Sequence, residues 1–411
     1  MKPSADLDSA IRRVVAAGNC SGCGACVLLD AGLCMEQDEQ GYLRPVRRGP
    51  TEPGIAGTET LSAFKQACPG VLVKAQRPPG SLRHPQLGPV VQAWEAWAAD
   101  PQTRHMGSSG GTLTALSVWL LETGKASQII GAQAAAKNPR RTVSVQITTK
   151  EEALAASGSR YAPVSNAAHP YALAAGTAFI GKPCEVSAIR ALGSGTFGMA
   201  ETPILLSFFC AGTPGQNATE QLVEELGVPS GETIAGLRYR GNGWPGDFTV
   251  TRTDGTTIST SYDDSWGNHL GPTTQWRCKI CPDGIGESAD ITAGDFWRSD
   301  DQGYPLFADA AGISALIART ERGRDLVLAA AAAGVLILRD LDLDAVVEVQ
   351  PLQRKRRTTL LGRLMGTRAA AGQVPRYRGF GLWFLAWQAP RESWRTAKGS
   401  YRRRKSMAKQ G

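Results

Sequence analysis

Nine cysteines are spread through 411 residues, and four of them fall in a pattern that chemistry can use. Cys20, Cys23 and Cys26 stand two residues apart in the glycine-rich stretch NCSGCGAC, and Cys68 is followed at once by Pro69. Three thiols so close together cannot all bridge one another, but all three can turn inward to one metal centre. Iron–sulfur clusters take cysteine thiolates, four to a cube, and a C-x2-C-x2-C run with a distant Cys-Pro is a common way of supplying them. The spacing therefore assigns Cys20, Cys23, Cys26 and Cys68 to one 4Fe-4S cluster. Zinc is the alternative, although zinc sites more often take separate C-x2-C pairs than three cysteines in a single run. Cys34 remains as a spare.

Cys184, Cys210, Cys278 and Cys281 are more scattered. The last two form a C-x2-C pair in WRCKICPDG, which alone would equally describe a redox dithiol or half a zinc site. Cys184 and Cys210 follow the short apolar runs TAFIG and PILLSFF, each expected to be a strand. In open α/β sheets, ligands bind beyond the carboxyl ends of strands. Two sheet-edge thiols and one loop pair could thus converge on a second cluster. Inert cysteine at a strand end is the competing reading.

A third feature is the turn MGSSGGTLTALSVW. Ser108, Ser109, Gly110, Gly111 and Thr112 lie between an expected strand and an expected helix. Glycine allows a ligand to approach the backbone, and a helix start offers free N–H groups to an anion. A nucleotide phosphate suits such a turn, and so does nothing more than an ordinary helix cap. Neither a G-x-G-x-x-G fingerprint nor a P-loop is present.

These residues need elements to position them. The run VVQAWEAWAA reads as a strand before the serine–glycine turn. Leu113, Leu116, Trp119 and Leu120 then give helical spacing up to Gly124. SQIIGAQAA and TVSVQITT read as strands. TAFIG, PCEVSAIRAL, PILLSFFC and GQNATEQLVEELG continue the alternation of strand and helix, with Pro183 in the first turn of its helix. DFTVTRTDGTTISTS reads as a hairpin turning at Asp254-Gly255, and ISALIART, ERGRDLVLAAAAAG and VLILRD as strand, helix and strand. The expected fold class is α/β with α+β elements. Its expected parts are an N-terminal cluster region over 1–80, a region with the serine–glycine turn over 85–165, a region with the second cysteine quartet and a β-rich insertion over 166–347, and a helical basic tail over 348–411.

Composition limits the function. The chain is 42% hydrophobic and 20% charged, an ordinary globular balance. The first residues carry no signal-like apolar run, and no stretch approaches the roughly 20 apolar residues of a membrane span. A cytoplasmic protein without a membrane span is expected, and cysteines there indicate metal or redox chemistry before disulfides. The net charge of +8 is concentrated at one end, where residues 391–411 hold eight Lys or Arg and one Glu. That end reads as a frayed, solvated terminus, with an electrostatic handle for an acidic partner as the functional alternative. A zinc-stabilised nucleic-acid binder using the RRRK run is a distant third possibility, and nucleic acid is not expected as a partner.

Taken in order, CSGCGAC, the Cys68-Pro69 pair, SSGGTLTAL, SRYAPV, FIGKPCEVSAIR, FFCAGTPG, RGNGWPG and RCKICPDGIGESADITAGDFW resemble the beta subunit family of coenzyme F420 hydrogenases and dehydrogenases. The resemblance runs from about Asn19 to about Val347. It implies 4Fe-4S clusters on both quartets, Cys20, Cys23, Cys26 and Cys68, and Cys184, Cys210, Cys278 and Cys281. It also implies a flavin, FAD with FMN as the alternative, near Ser108, Ser109, Gly110, Gly111 and Thr112 and near Lys182. Asp290, Gly294, Asp295 and Trp297 match a family motif. Glu185 stands where the family often has Gln, and Ala211 where many members have His.

The resemblance further implies an oxidoreductase that exchanges hydride or electrons between coenzyme F420, or ferredoxin, and a partner or small substrate. Arg160, Lys182, Arg238 and Arg240 are candidates to hold the anionic tail of the cofactor substrate, and His105 and Tyr161 are acid–base candidates. The alternatives are a ferredoxin-dependent reductase of another substrate, tetrapyrrole-like or from polysaccharide synthesis, and an electron-transfer subunit without catalysis of its own. The expected partner is a redox protein such as ferredoxin or another oxidoreductase subunit.

Overall fold

The computed structural model describes residues 3–52, 60–199, 202–297 and 311–410. Its centre is an eight-stranded mixed sheet. In chain order the strands are β1 (Gln92–Ala98), β2 (Gln128–Ala135), β3 (Asn138–Ile147), β4 (Thr177–Gly181), β5 (Ile204–Phe208), β6 (Ile291–Asp295), β7 (Ser314–Ala318) and β8 (Leu336–Asp340). Across the sheet they run β8-β1-β7-β6-β5-β4-β2-β3. β2, β4, β5 and β6 are parallel neighbours, and β7 is antiparallel to both β6 and β1. So β1, β2, β4, β5 and β6 all point the same way, and their carboxyl ends share one edge.

Strand side chains alternate faces, so consecutive apolar residues in a central strand require cover on both sides. Ile129, Ala178 and Leu206 enter one buried cluster with Leu116, Trp119 and Leu316. Their neighbours Ile130, Phe179 and Leu205 enter another with Val186, Leu28 and Phe64. The second cluster also takes in Cys23, Cys26, Cys68 and Cys184, which places the N-terminal cysteine region against one face of the sheet. The expected hairpin forms as Phe248–Arg252 and Thr257–Thr260, with Ile234–Arg238 as a third antiparallel strand. The α/β expectation therefore holds.

Asp290 anchors the middle of the sheet. Its carboxylate accepts from the Leu205 N–H at 2.8 Å, the Thr320 hydroxyl at 2.9 Å, Arg190 at 3.0 Å and Arg322. Burial alone would raise its pKa, but Arg190, Arg322 and the Leu205 N–H outweigh burial and hold it below the ordinary aspartate value.

The C-terminal end corrects one expectation. The end is not frayed and solvated: the helix Pro390–Gln410 packs along the helix Leu360–Ala369. Gly362 and Gly366 make this packing possible. A Cβ on either would lie 2.1 Å from the Ser393 carbonyl or 2.0 Å from that of Ala397. Upstream, Arg356 and Arg357 on the helix Pro351–Thr358 are buried rather than solvated. Among the described residues, no helix is long and apolar enough to cross a membrane.

Candidate functional site

Cys20, Cys23, Cys26 and Cys68 line one cavity together with Phe64 and Met35. Each of Cys20, Cys23 and Cys68 disfavours ionisation of Cys26, after the larger effect of burial, so the four thiols lie within each other's electrostatic reach. Burial, with Cys20 close by, pushes the Cys23 thiol up to about 11 although the Ala25 N–H opposes it. Cys68 is raised too, by burial and then by Cys23 and Cys20, against the Gly70 N–H and Arg277. The loop that carries the first three requires glycine. Gly24 has φ +88°, and a Cβ there would come within 2.7 Å of the Ala168 Cβ.

Cys34 stays apart on the hairpin of Leu33–Gln37 and Leu43–Arg47, where its thiol contacts Glu36 at 3.4 Å.

Cys184 and Cys210 stand just beyond the carboxyl ends of β4 and β5, at the shared edge of the sheet. Cys210 is pushed up to about 12 by burial and then by Cys278 and Cys281, with Arg356 and Lys182 opposing. Cys184 is raised well above the usual thiol range by burial, with contributions from Glu185, Cys23 and Cys210 against that of Lys182. Cys210 thus lies within electrostatic reach of Cys278 and Cys281, and Cys184 within reach of Cys210 and Cys23. The Thr213 N–H points at the Cys278 sulfur, 3.4 Å away.

A 4Fe-4S cube needs four buried thiols, backbone N–H groups aimed at sulfur, and nearby positive charge to offset its own. Cys23 is buried and the other seven are half-buried, a donor set that would fit such clusters in kind. Among the described residues, no three His, Cys, Asp or Glu side chains close on a point that would hold a single metal ion.

Three cations surround the thiols. The Lys182 ammonium is buried and held by the Glu185 carboxylate and the Val164 carbonyl, each at 2.7 Å. Its charge faces Cys184 and Cys210. Arg356 donates to the Cys210 carbonyl at 2.6 Å and to that of Ala211 at 3.2 Å. Arg277 is fully buried, donates to the Pro69 carbonyl at 2.9 Å, and leaves its Nε without a partner. Spacing alone did not single out Arg277 or Arg356. The only available signal for Arg277 was its place directly before Cys278.

The serine–glycine turn lies on the same edge, after β1. Gly111 (φ +71°) precedes the helix Thr112–Glu122 and offers no side-chain cap, so the first-turn N–H groups keep their anion-binding character. Several other donors of the turn are engaged internally. The Gly110 N–H donates to the Ser314 hydroxyl at 3.0 Å, and the Ser109 and Thr112 hydroxyls meet that same oxygen at 2.9 and 3.1 Å. Ser108 accepts from the Ser159 N–H.

Beside the turn, Arg238 donates to the Met106 carbonyl at 3.2 Å. Arg238 also lines a groove of about 450 Å³ with Leu237, Gly241, Asn242, Asp247 and Ala135. That volume is within the usual range for small-ligand sites.

Arg240 is buried, pairs with Asp295 at 2.7 Å, and lies against the rings of Trp244, Tyr262 and Trp297. The Tyr161 hydroxyl is 3.4 Å from it. Arg160 is tied to the carbonyls of Leu237, Pro139 and Arg141. Of the proposed anion-binding residues, therefore, Arg238 faces a groove, whereas Arg160, Lys182 and Arg240 are engaged inside the protein. His105 is exposed, and its carbonyl accepts from the Gly243 N–H.

Comparison with known proteins shows the family. Residues 93–169 match the family model for the N-terminal part of the coenzyme F420 hydrogenase/dehydrogenase beta subunit, and residues 175–344 match the model for its C-terminal part. A chain of the F420-reducing NiFe hydrogenase complex from Methanosarcina barkeri, solved as a xenon derivative, is similar in fold. It is 21% identical, with a TM-score of 0.54, over 72% of this chain and 98% of that one. No curated protein matches the chain by sequence.

Proposed function

Since the chain belongs to the coenzyme F420 hydrogenase/dehydrogenase beta subunit family, a family of oxidoreductase subunits, we propose that it is an iron–sulfur flavoprotein exchanging electrons between coenzyme F420 and a partner protein. One observation supports this above the others. Cys184, just past β4 on the sheet edge that also carries the uncapped helix start at Gly111, packs against the apolar cluster that holds Cys23, Cys26 and Cys68.

Cys20, Cys23, Cys26 and Cys68 would hold one cube, and Cys184, Cys210, Cys278 and Cys281 the other. A flavin phosphate would sit on the N–H groups that open the helix Thr112–Glu122. A flavin bound there would accept a hydride and release its electrons singly to the clusters. The protein's own residues do the rest. Arg238 offers its guanidinium to an anionic group in the adjoining groove. The Arg240–Asp295 pair and the surrounding aromatic rings hold the loop 238–247 against the sheet edge. Buried Arg277, Lys182 and Arg356 would favour added negative charge on clusters held there and so ease their reduction.

Reduced coenzyme F420 mixed anaerobically with the full chain tests this. Recovery of the oxidised cofactor's absorbance, with bleaching of a flavin band, is expected. If reduced ferredoxin bleaches the flavin and F420 does not react, the protein is a ferredoxin-linked relative instead. If neither reacts while a partner enzyme draws electrons through the clusters, its role is electron conduction only.

A further inference from the structure

We propose that the C-terminal helix pair is a peripheral docking surface for anionic membrane lipid. The inference is independent of the redox chemistry above. Trp383, Phe384 and Trp387 on the helix Leu382–Gln388 are 75%, 57% and 79% exposed, and Trp394 on the next helix is 63% exposed. Four large rings in twelve residues are a concentration of apolar surface that a lone globular protein rarely leaves in water.

The helix Pro390–Gln410 is two-faced. Ser393 and Ser400 are buried and Ala397 partly so, on the side packed against Leu360–Ala369. Arg391, Arg395, Lys398, Arg402 and Lys405 are exposed and follow one another at three- and four-residue steps with exposed Trp394 beside them, so they form one outward stripe. The Lys398 ammonium stands 3.5 Å from the Trp394 ring centroid, which puts ring and cation at one level on that stripe.

Charge complementarity selects the partner. Five exposed cations line the stripe, and Glu392 is the single acid among residues 391–410. Tryptophan beside Lys and Arg is the composition of elements that lie in the headgroup region of a bilayer, where the rings enter the interface and the cations meet anionic lipid. No described helix crosses a membrane, so attachment would be in the plane of the surface.

The test is co-sedimentation of the anaerobically purified full chain with vesicles of phosphatidylcholine alone or mixed with phosphatidylglycerol, read together with tryptophan emission. Binding to the mixed vesicles, a blue shift in emission, and binding at least about tenfold weaker to phosphatidylcholine alone or in high salt are expected. The variant carrying Trp383→Ala, Trp387→Ala and Trp394→Ala should lose at least about tenfold in vesicle affinity while keeping its circular dichroism and iron content. If the triple variant unfolds, Arg395→Glu with Lys398→Glu serves instead, with the same loss expected. The proposal is overturned if the full chain stays in the supernatant with phosphatidylglycerol vesicles, or if a folded triple variant binds as tightly as the parent. It is also overturned if the chain prefers duplex DNA or an added redox partner to the vesicles with no change in emission on lipid.

Discussion

The buried guanidinium of Arg277 donates to the carbonyl of Pro69, 2.9 Å away, and so joins the loop of Cys278 and Cys281 to the loop of Cys68. The same cation lies within electrostatic reach of Cys184, Cys278 and Cys281 and of Cys68. It is therefore a fixed positive charge shared by both cysteine groups, stacked on Tyr377 at 5.5 Å.

Arg277→Gln should lower the reduction potential of both clusters, because the reduced state carries the extra electron this cation stabilises. A shift on the order of 50 mV, equivalent to about 1 kcal/mol for a one-electron couple, is expected for a charge at this depth. An EPR-monitored redox titration reads it directly. Arg277→Lys should recover much of the shift, and a variant whose potentials stay at the parent values would remove this role from Arg277.

Cysteine substitutions should separate the two groups. Cys26→Ala and Cys281→Ala should each reduce iron by about four atoms per chain, the content of one cube. Cys34→Ala should leave iron unchanged, since Cys34 meets only Glu36 and Arg48. Iron and sulfide assays on anaerobic preparations distinguish these outcomes.

Asp290 should make stability acid-sensitive. Its folded pKa lies below its unfolded one, so its contribution is full above the unfolded value of about 4 and is lost as pH falls through the folded value. Asp290→Asn should cost about 3 kcal/mol, the low end for breaking a buried ion pair, because Arg190 and Arg322 still reach water. Thermal melts between pH 3 and pH 7, about the range where an aspartate titrates, should show the parent's melting temperature falling on the acid side and the variant's depending less on pH.

Arg238→Ala should weaken binding of an anionic substrate. A lost hydrogen bond to a charged group is worth about 1.5–3 kcal/mol, so KM for coenzyme F420 should rise on the order of tenfold or more. kcat should change far less, and a fall in kcat at constant KM would place Arg238 in a different role.

Much of the architecture was legible because local rules and tertiary structure agree. Strand-ending apolar runs placed Cys184 and Cys210 at the sheet edge, and the Asp254-Gly255 turn formed with Gly255 at φ +86°. The cysteine run gathered as its spacing required. What was not legible depends on contacts across the chain. Nothing local marks Ser314 as the hydroxyl that engages Ser109, Gly110 and Thr112 of the serine–glycine turn. Lys182 looked available to a phosphate until its pairing with Glu185 was visible. That pairing also gives a reason for an acid at 185, since Gln there could not balance the buried ammonium.

The packed tail was masked by composition. Eight cations near the C-terminus read as a solvated end, but Gly362 and Gly366, four residues apart, mark the face on which a second helix lies. Small residues at that spacing were the available signal.

On the proposed reading, eight cysteines from distant parts of the chain hold two cubes beside a flavin. Anaerobic purification followed by a visible spectrum, iron and sulfide assay and flavin extraction tests it most directly. A brown protein with about eight irons, about eight sulfides and one flavin per chain is expected. A pale protein that contains zinc and no iron would contradict it.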